Sequence, residues 1–505
     1  MTDAEGGSAA DELGRLDEVD TLIARTVVDG VPVLFAPGDG PVSGGLVFRV
    51  GWADEQLARS GITHLVEHLA LFGQDPSAVH HNGSTGDFST HFHATGRPDE
   101  VVAFLNAVCA ALRGLPLDRM EVEKGILDTE AARRSSHVAE RLRLERYGAR
   151  GLGLGGYEGF GLPAVTEADL TAWVEERLGR LNAVAWITTD AVPEGLDLRL
   201  PEGRRWPVPR AEEIVPDGPS FFRGAQGGVL LDGVVLATAA GVVFADVASR
   251  ALFRSLRQEG GLSYEARCDW ERIDADRARL SIFADALPEK QSAVVGEIID
   301  VLAAMRVGRI DGDALAAAQT AADDLPEPSS LGAQLLPAAA FKLLAGYEIR
   351  SPQRLAAEYA AVTAADLVEL ARELQRTALA QIPEGSLDWA GFTALPAWSR
   401  AEVEGVSYAF LGEAGGELVV GRDGVMARES GGAVTVRFAD AEALEVWPDG
   451  ARRIVGADGF QILIEPTMYD GLSSDELAGV DAAVPERRHV RRPARSPESV
   501  PQPPR

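Results

Sequence analysis

One order of strand-forming and helix-forming stretches occurs twice along this chain, and that recurrence limits the folds open to it. Thr26–Val28 and Val31–Phe35 are apolar runs on either side of Asp29-Gly30, a pair suited to a hairpin reversal. Gly45–Val50 reads as the next strand, and a helix is expected over about residues 60–71. Phe88 to Thr95 alternates, with Phe88, Thr90, Phe92 and Ala94 on one side, which is a strand pattern. Helical patterns follow over 99–113 and 118–148, split by Gly114-Leu115-Pro116, then over 166–178 before a strand at Ala183–Thr188. The second pass starts with strands at Gly228–Asp232 and Val234–Ala237, then a helix over 245–259. Strands near 263–270 and 278–285 come next, then helices near 288–306, 311–322, 331–345 and 364–375. Such a repeat implies an internal duplication of about 200 residues. The expected fold class is α+β: two homologous α/β units, each an antiparallel sheet covered by helices, plus a small all-β C-terminal domain.

Punctuation of the sequence suggests the boundaries. Residues 1–20 are polar and acidic and read as a flexible N-terminus. The first unit spans 21–200, a Pro-rich acidic linker 201–219, and the second unit 220–383. Residues 384–470 change in texture, with short strand patterns separated by Asp423-Gly424, Asp449-Gly450 and Asp458-Gly459. They read as a small β-sandwich or barrel that loosely resembles a pleckstrin-homology-type domain. Residues 471–505, with the basic run Arg487 to Arg495 and several prolines, read as a disordered, solvated tail.

A net charge of −29 opposes binding to nucleic acid, which relies on Lys and Arg at phosphates. No run of 18 or more apolar residues is present, so no membrane span is expected, and the acidic start lacks the apolar core of a secretory signal. Cys109 and Cys268 are too far apart in sequence for a C-x-x-C motif, which fits a reducing cytoplasm. Cys109 lies in an apolar helical run and reads as a core residue.

Where the copies differ, chemistry enters. The first holds His64, Glu67 and His68 in an H-x-x-E-H arrangement, and the second has no such motif. Positions i, i+3 and i+4 share one helix face with Cβ atoms about 5–6 Å apart. Two imidazoles so placed can bind Zn²⁺, and the carboxylate between them can act on the attacking water. Ile62, Leu65, Val66, Leu69 and Leu71 surround the triplet, as a buried helix requires. A catalytic zinc needs a third protein ligand. Glu123 and Glu130, seven residues apart and so on one helical face, are the best candidates, one to ligate and one to orient a His. His80, His81, His91 and His93 are rivals, since six of the eight His fall between 64 and 93.

Gly61 to Gly73 resembles the metal-binding helix of the inverzincin peptidases, the pitrilysin, insulysin and mitochondrial-processing-peptidase family. The resemblance covers roughly residues 20–383. It implies that Glu130 is the third zinc ligand and that Glu123 supports the site. Asn82 and Thr90-His91-Phe92 are similar to the family's Asn…Thr-x-Tyr strand, which implies that Asn82, Thr90 and Phe92 bind a substrate added as an extra strand. The stretch Asp75–His81 departs from the family, replacing the short helix that normally precedes the Asn. In the second unit, Leu256-Arg257 and Leu262-Ser263-Tyr264 resemble a segment whose Arg and Tyr reach the zinc site, which gives Arg257 and Tyr264 catalytic roles on substrate and oxyanion.

The expected activity is that of a zinc-dependent endopeptidase with Glu67 as general base. The resemblance further implies a closed two-domain or dimeric chamber, here a homodimer whose Arg257 and Tyr264 serve the partner's zinc. Alternatives are a processing peptidase dedicated to one precursor peptide, or a non-catalytic scaffold of the same fold. Neither nucleic acid nor membrane is an expected partner.

Overall fold

The computed structural model describes residues 22–74, 80–133, 138–157, 159–224, 228–320, 328–399, 401–413 and 415–504. The N-terminus expected to be flexible, 1–20, and most of Asp75–His81 lie outside these residues. The first unit runs β1 (Ala24–Val28), β2 (Val31–Phe35), β3 (Val42–Phe48), α1 (Ile62–Leu71), β4 (His80–Thr85), β5 (Thr90–Gly96), α2 (Pro98–Arg113), α3 (Met120–Arg133), α4 (Val138–Tyr147), α5 (Glu167–Arg177) and β6 (Ala183–Ile187). Its six-stranded sheet has the order β1-β2-β6-β3-β5-β4, antiparallel except where β2 meets β6.

The second unit runs β7 (Ser220–Arg223), β8 (Gly228–Leu236), α6 (Ala239–Leu252), β9 (Ala266–Arg272), β10 (Arg277–Asp285), α7 (Gln291–Arg306), α8 (Gly312–Gln319), α9 (Pro328–Ala345), α10 (Pro352–Ala360), α11 (Ala364–Thr377), β11 (Leu379–Ile382) and β12 (Thr393–Ala394). In its order, β12-β7-β11-β8-β10-β9, the five strands β7-β11-β8-β10-β9 match β2-β6-β3-β5-β4 of the first sheet, with β7 and β11 parallel as β2 and β6 are; the outer strand differs, since β12 comes from the end of its unit and runs parallel to β7, whereas β1 comes first and runs antiparallel to β2. The duplication is therefore present in the fold. Two expected strands fuse into β8, because nine residues run continuously through Gly233. The expected 245–259 helix starts earlier, at Ala239, and ends in a π-helical turn over Phe253–Glu259.

Each sheet is covered on both faces. On one face of the first, Phe48, Phe92 and Leu46 pack against Leu65 and Leu69 of α1, Phe104 of α2 and Leu170 of α5. Leu34, Val47, Val184 and Trp186 on the other face meet Leu336, Ala340 and Leu343, which belong to α9 of the second unit. The reverse also holds: Leu142 of α4 packs on Phe222, Leu230 and Leu379 of the second sheet. α4 and α9 hold equivalent places in the repeat, so the units exchange corresponding helices. Arg146 of α4 is fully buried at this seam, where its Nε donates to Asp232 Oδ1 (3.0 Å) and its Nη2 to the Thr377 carbonyl (3.0 Å). Segment 201–219 crosses between the units without helix or strand, tied by Ile214 N–H to the Arg146 carbonyl (2.8 Å).

The C-terminal unit holds two four-stranded sheets: β13 (Gly405–Ala409) to β16 (Gly432–Arg437) with β14 (Glu417–Gly421) and β15 (Gly424–Glu429) between, and β17 (Ala441–Val446), β18 (Arg452–Gly456), β19 (Gln461–Ile464) and β20 (His489–Arg491). They share a core with α12 (Ser474–Ala483). The reading of 471–505 as disordered is corrected: α12 packs through Leu477 and Val480, and β20 pairs in parallel with β17. The basic run misled because its charges are met inside the fold: Arg492 pairs with Glu445, and Arg495 with Glu465 (2.6 Å) and Asp449 (2.7 Å).

Candidate metal and active site

Gly61 starts α1 at φ 93°, a left-handed conformation that glycine adopts without steric cost. The first turn's N–H groups are met by a carboxylate from six residues upstream: Glu55 accepts from Gly61 N (2.8 Å) and Thr63 N (2.9 Å). Burial pushes the Glu55 carboxyl up to about 7 from its ordinary 4.5, against the lowering effect of these bonds. From that anchored start, Leu65, Val66 and Leu69 point into the core, while His64 and His68 stay partly exposed with rings 4.8 Å apart.

α3 packs across α1 and brings both glutamates to the pair. The ligand atoms of His64, His68 and Glu130 all lie within 4.8 Å of one another, and no other such group occurs among the described residues. His68 Nδ1 is 3.4 Å from Glu123 Oε2, and its Nε2 is 3.9 Å from Glu130 Oε1. Glu123 is buried and its other oxygen accepts from Arg119 Nη2 (3.3 Å), whereas the Glu130 side chain is 42 % exposed. An imidazole donating from Nδ1 to Glu123 turns the bare lone pair of Nε2 toward the Glu130 carboxylate. In that tautomer two acceptors face one another, an arrangement that a cation between them would satisfy. Two imidazoles and one carboxylate form a donor set of catalytic zinc, whose ligand atoms sit roughly 3.4 Å apart around bonds of about 2.0–2.1 Å. The residues present fit such an ion.

Glu67 is buried beside the end of the edge strand β4, and its Oε2 accepts from Thr85 Oγ1 (2.6 Å). Gly83 makes room for it: a Cβ there would lie 2.6 Å from Glu67 Oε1. His81, Gly83 and Thr85 thus share the strand face toward α1, and His81 stacks on Phe104 of α2 at 5.2 Å. Sequence reasoning missed Thr85, although the two-residue period of β4 counted from Gly83 would have found it. Asn82 is exposed and falls on the other face of the strand from Glu67.

The substrate role implied for Thr90 and Phe92 is corrected. Both are fully buried, Thr90 donating to the Val50 carbonyl (2.9 Å) and Phe92 packed edge-on to Phe48 (6.2 Å), so they hold the sheet together. His91 and His93 face the side away from α1. His91 Nε2 accepts from Trp186 Nε1 (2.9 Å), and burial holds His91 down to about 4. None of the rival histidines joins the group around His64. Arg257 and Tyr264 sit together on the second unit: the guanidinium lies 4.6 Å from the Tyr264 ring, and Tyr264 is 75 % exposed. The π-helical turn places Arg257, while Leu262 N–H closes back on the Leu256 carbonyl (2.7 Å).

No family model and no curated protein matches this chain. Solved structures do match in fold. A protease from Helicobacter pylori superposes with a TM-score of 0.59 at 16 % identity, over 71 % of this chain and 98 % of that one. The first half of a periplasmic protease from Escherichia coli gives 0.56 at 14 % identity, over 74 % and 94 %. A peptidase M16 inactive domain from Pseudomonas fluorescens gives 0.56 at 14 % identity, over 72 % and 98 %. At these identities the likeness establishes a shared fold, one carried by named proteases and by an inactive domain alike.

Proposed function

We propose that this protein is a zinc-dependent endopeptidase. The observation that carries the reading is the convergence of His64, His68 and Glu130, with Glu123 behind His68, on a fold that named proteases also adopt. A zinc ion held by His64, His68 and Glu130 would supply Lewis acidity to a scissile carbonyl and a more acidic water. The protein's own residues do the rest. Glu67, held by Thr85 in the pocket left by Gly83, takes the proton of the attacking water and returns it to the leaving amine. The outer edge of β4, which lies at the end of its sheet, offers main-chain groups to an extended peptide. Glu123 fixes the tautomer and ring orientation of His68.

Arg257 and Tyr264 are exposed on the second unit, free to meet substrate in a homodimer in which a second copy presents its His64–His68 site. Their paired geometry suits stabilisation of an oxyanion. Because an inactive domain also has this fold, the scaffold reading is the one to test against. The test is elemental analysis of the purified chain together with mass spectrometry of a peptide library incubated with and without a chelator. One zinc per chain and chelator-sensitive cleavage, lost in Glu67→Gln with zinc retained, is the expected result. A zinc-loaded chain that cleaves nothing would leave the scaffold. Sedimentation as a monomer under assay conditions would remove the homodimer.

A further inference from the structure

A cavity of about 990 Å³ opens at the seam of the two units, between the start of α6, the turn joining β9 to β10 and the end of α9. None of His64, Glu67, His68 or Glu130 lines it. Its volume is that of a site for a whole small molecule, which runs to about 300–1,000 Å³. Five of the eighteen residues lining it are aromatic, against 6 % of the chain: Phe88 from the first unit, and Trp270, Phe341, Tyr347 and Tyr359 from the second. These rings are held in place. A Cβ on Gly241 would lie 2.6 Å from Trp270 Nε1, so the glycine lets the indole pack on α6, and Phe341 meets Tyr347 edge-on at 6.2 Å.

Charge in the cavity runs against charge in the chain. Arg350 is matched, its Nε to Glu348 (3.0 Å) and its Nη1 to Glu358 (2.8 Å). Arg272 spends one donor on the Ala275 carbonyl (2.6 Å) and lies 4.9 Å from the Tyr347 ring. Lys342 is half-buried and makes no hydrogen bond or ion pair among the described residues. Burial lowers its pKa from the ordinary 10.5, and so do Arg350 and Arg272 beside it. The other acid of the lining, Asp276, is exposed at the turn. Three cations against two carboxylates leave the lining one positive charge, in a chain of net charge −29. A half-buried ammonium crowded by two guanidiniums is costly until a counter-charge joins it.

We propose that this cavity binds a small aromatic monocarboxylate, its ring among Trp270, Phe341 and Tyr347 and its carboxylate on Lys342 and Arg272. One surplus positive charge matches one carboxylate and does not match a polyphosphate. Charge-assisted hydrogen bonds at Lys342 and Arg272 fix the charged end, and edge or offset contacts with the aromatic walls fix the ring. The site stands apart from the peptidase reading, for neither zinc nor cleavage enters its test.

The test is isothermal titration calorimetry of the purified full chain with three probes: indoleacetate, its uncharged counterpart tryptophol, and ATP. The parent is expected to bind one indoleacetate per chain with a Kd below about 1 mM, at least about tenfold more tightly than tryptophol or ATP. Lys342→Gln removes the crowding of like charges and should lose that tenfold, bringing indoleacetate level with tryptophol. Ala275→Trp fills the cavity from its exposed rim and should abolish binding of both. Should one variant fail to fold, the other decides. A parent that binds none of the probes, that holds tryptophol as tightly as indoleacetate, or that prefers ATP overturns the proposal. So does a folded Lys342→Gln that keeps the tenfold, or a folded Ala275→Trp that binds indoleacetate as the parent does.

Discussion

In the first unit the helix after the third strand, α1, turns His64 and His68 toward α3, which carries Glu123 and Glu130. In the second, α6 holds the same place and packs on α8 as α1 packs on α3. Yet α6 turns Val243, Phe244, Val247 and Leu252 into the core, and α8 is largely alanine. The helix starts differ as well, since a buried carboxylate holds the first turn of α1, while Thr238 makes no side-chain bond at the start of α6. One order of five strands serves both, so the candidate site is an addition to two helices of one copy, and the other copy shows the same framework without it.

The comparison can be broken most sharply at Glu67. If chemistry resides in the first copy alone, Glu67→Gln should lower peptide hydrolysis by about 10³-fold with zinc unchanged by elemental analysis. Next comes the exchange of helices. Leu336→Ala and Leu142→Ala each empty a buried site under the other unit's sheet, and each should cost about 2–5 kcal/mol in urea unfolding. Loss of stability from one of the two alone would mean that the exchange is not reciprocal. The different helix starts predict a pH effect in the first unit. Glu55 has a folded pKa of about 7, above its ordinary 4.5, so its protonated form favours the fold. That contribution is whole below about pH 4.5 and is lost as pH rises through about 7, by roughly 3 kcal/mol at most. Unfolding midpoints between pH 5 and 8 should fall for the parent and flatten in Glu55→Gln. Gly83→Ala pushes a methyl against Glu67 and should lower kcat about 10²-fold while sparing metal content. The smallest effect belongs to Glu123→Gln, which should weaken zinc binding by about 10–100-fold in competition with a chromogenic chelator.

Much of this was legible in the sequence. Period-two and helical patterns, with Asp29-Gly30 between strands, placed most elements of both units within a few residues, because each faces a core. The spacing of His64, Glu67 and His68 singled out α1, and Glu123 and Glu130 were expected on one helix face; the structure brings Glu130 to His64 and His68 and sets Glu123 against His68. What was missed was which strand residues face Glu67. Thr90 and Phe92 fit a motif by type, yet burial assigns them to the sheet, and Thr85 takes the contact. The C-terminal 35 residues (505 − 470) misread for a different reason: arginines look solvated until their carboxylate partners, such as Glu445 and Glu465, are seen to lie in the same unit.

The traded helices also govern how the chain can be made. While the ribosome is still extending it, the N-terminal sheet is complete once Ile187 emerges, but the helix that shields its second face ends only at Ala345. For the whole of that interval Leu34, Val47 and Trp186 have no native cover, so maturation cannot proceed one half at a time, and the nascent N-terminal half is the natural client for a chaperone.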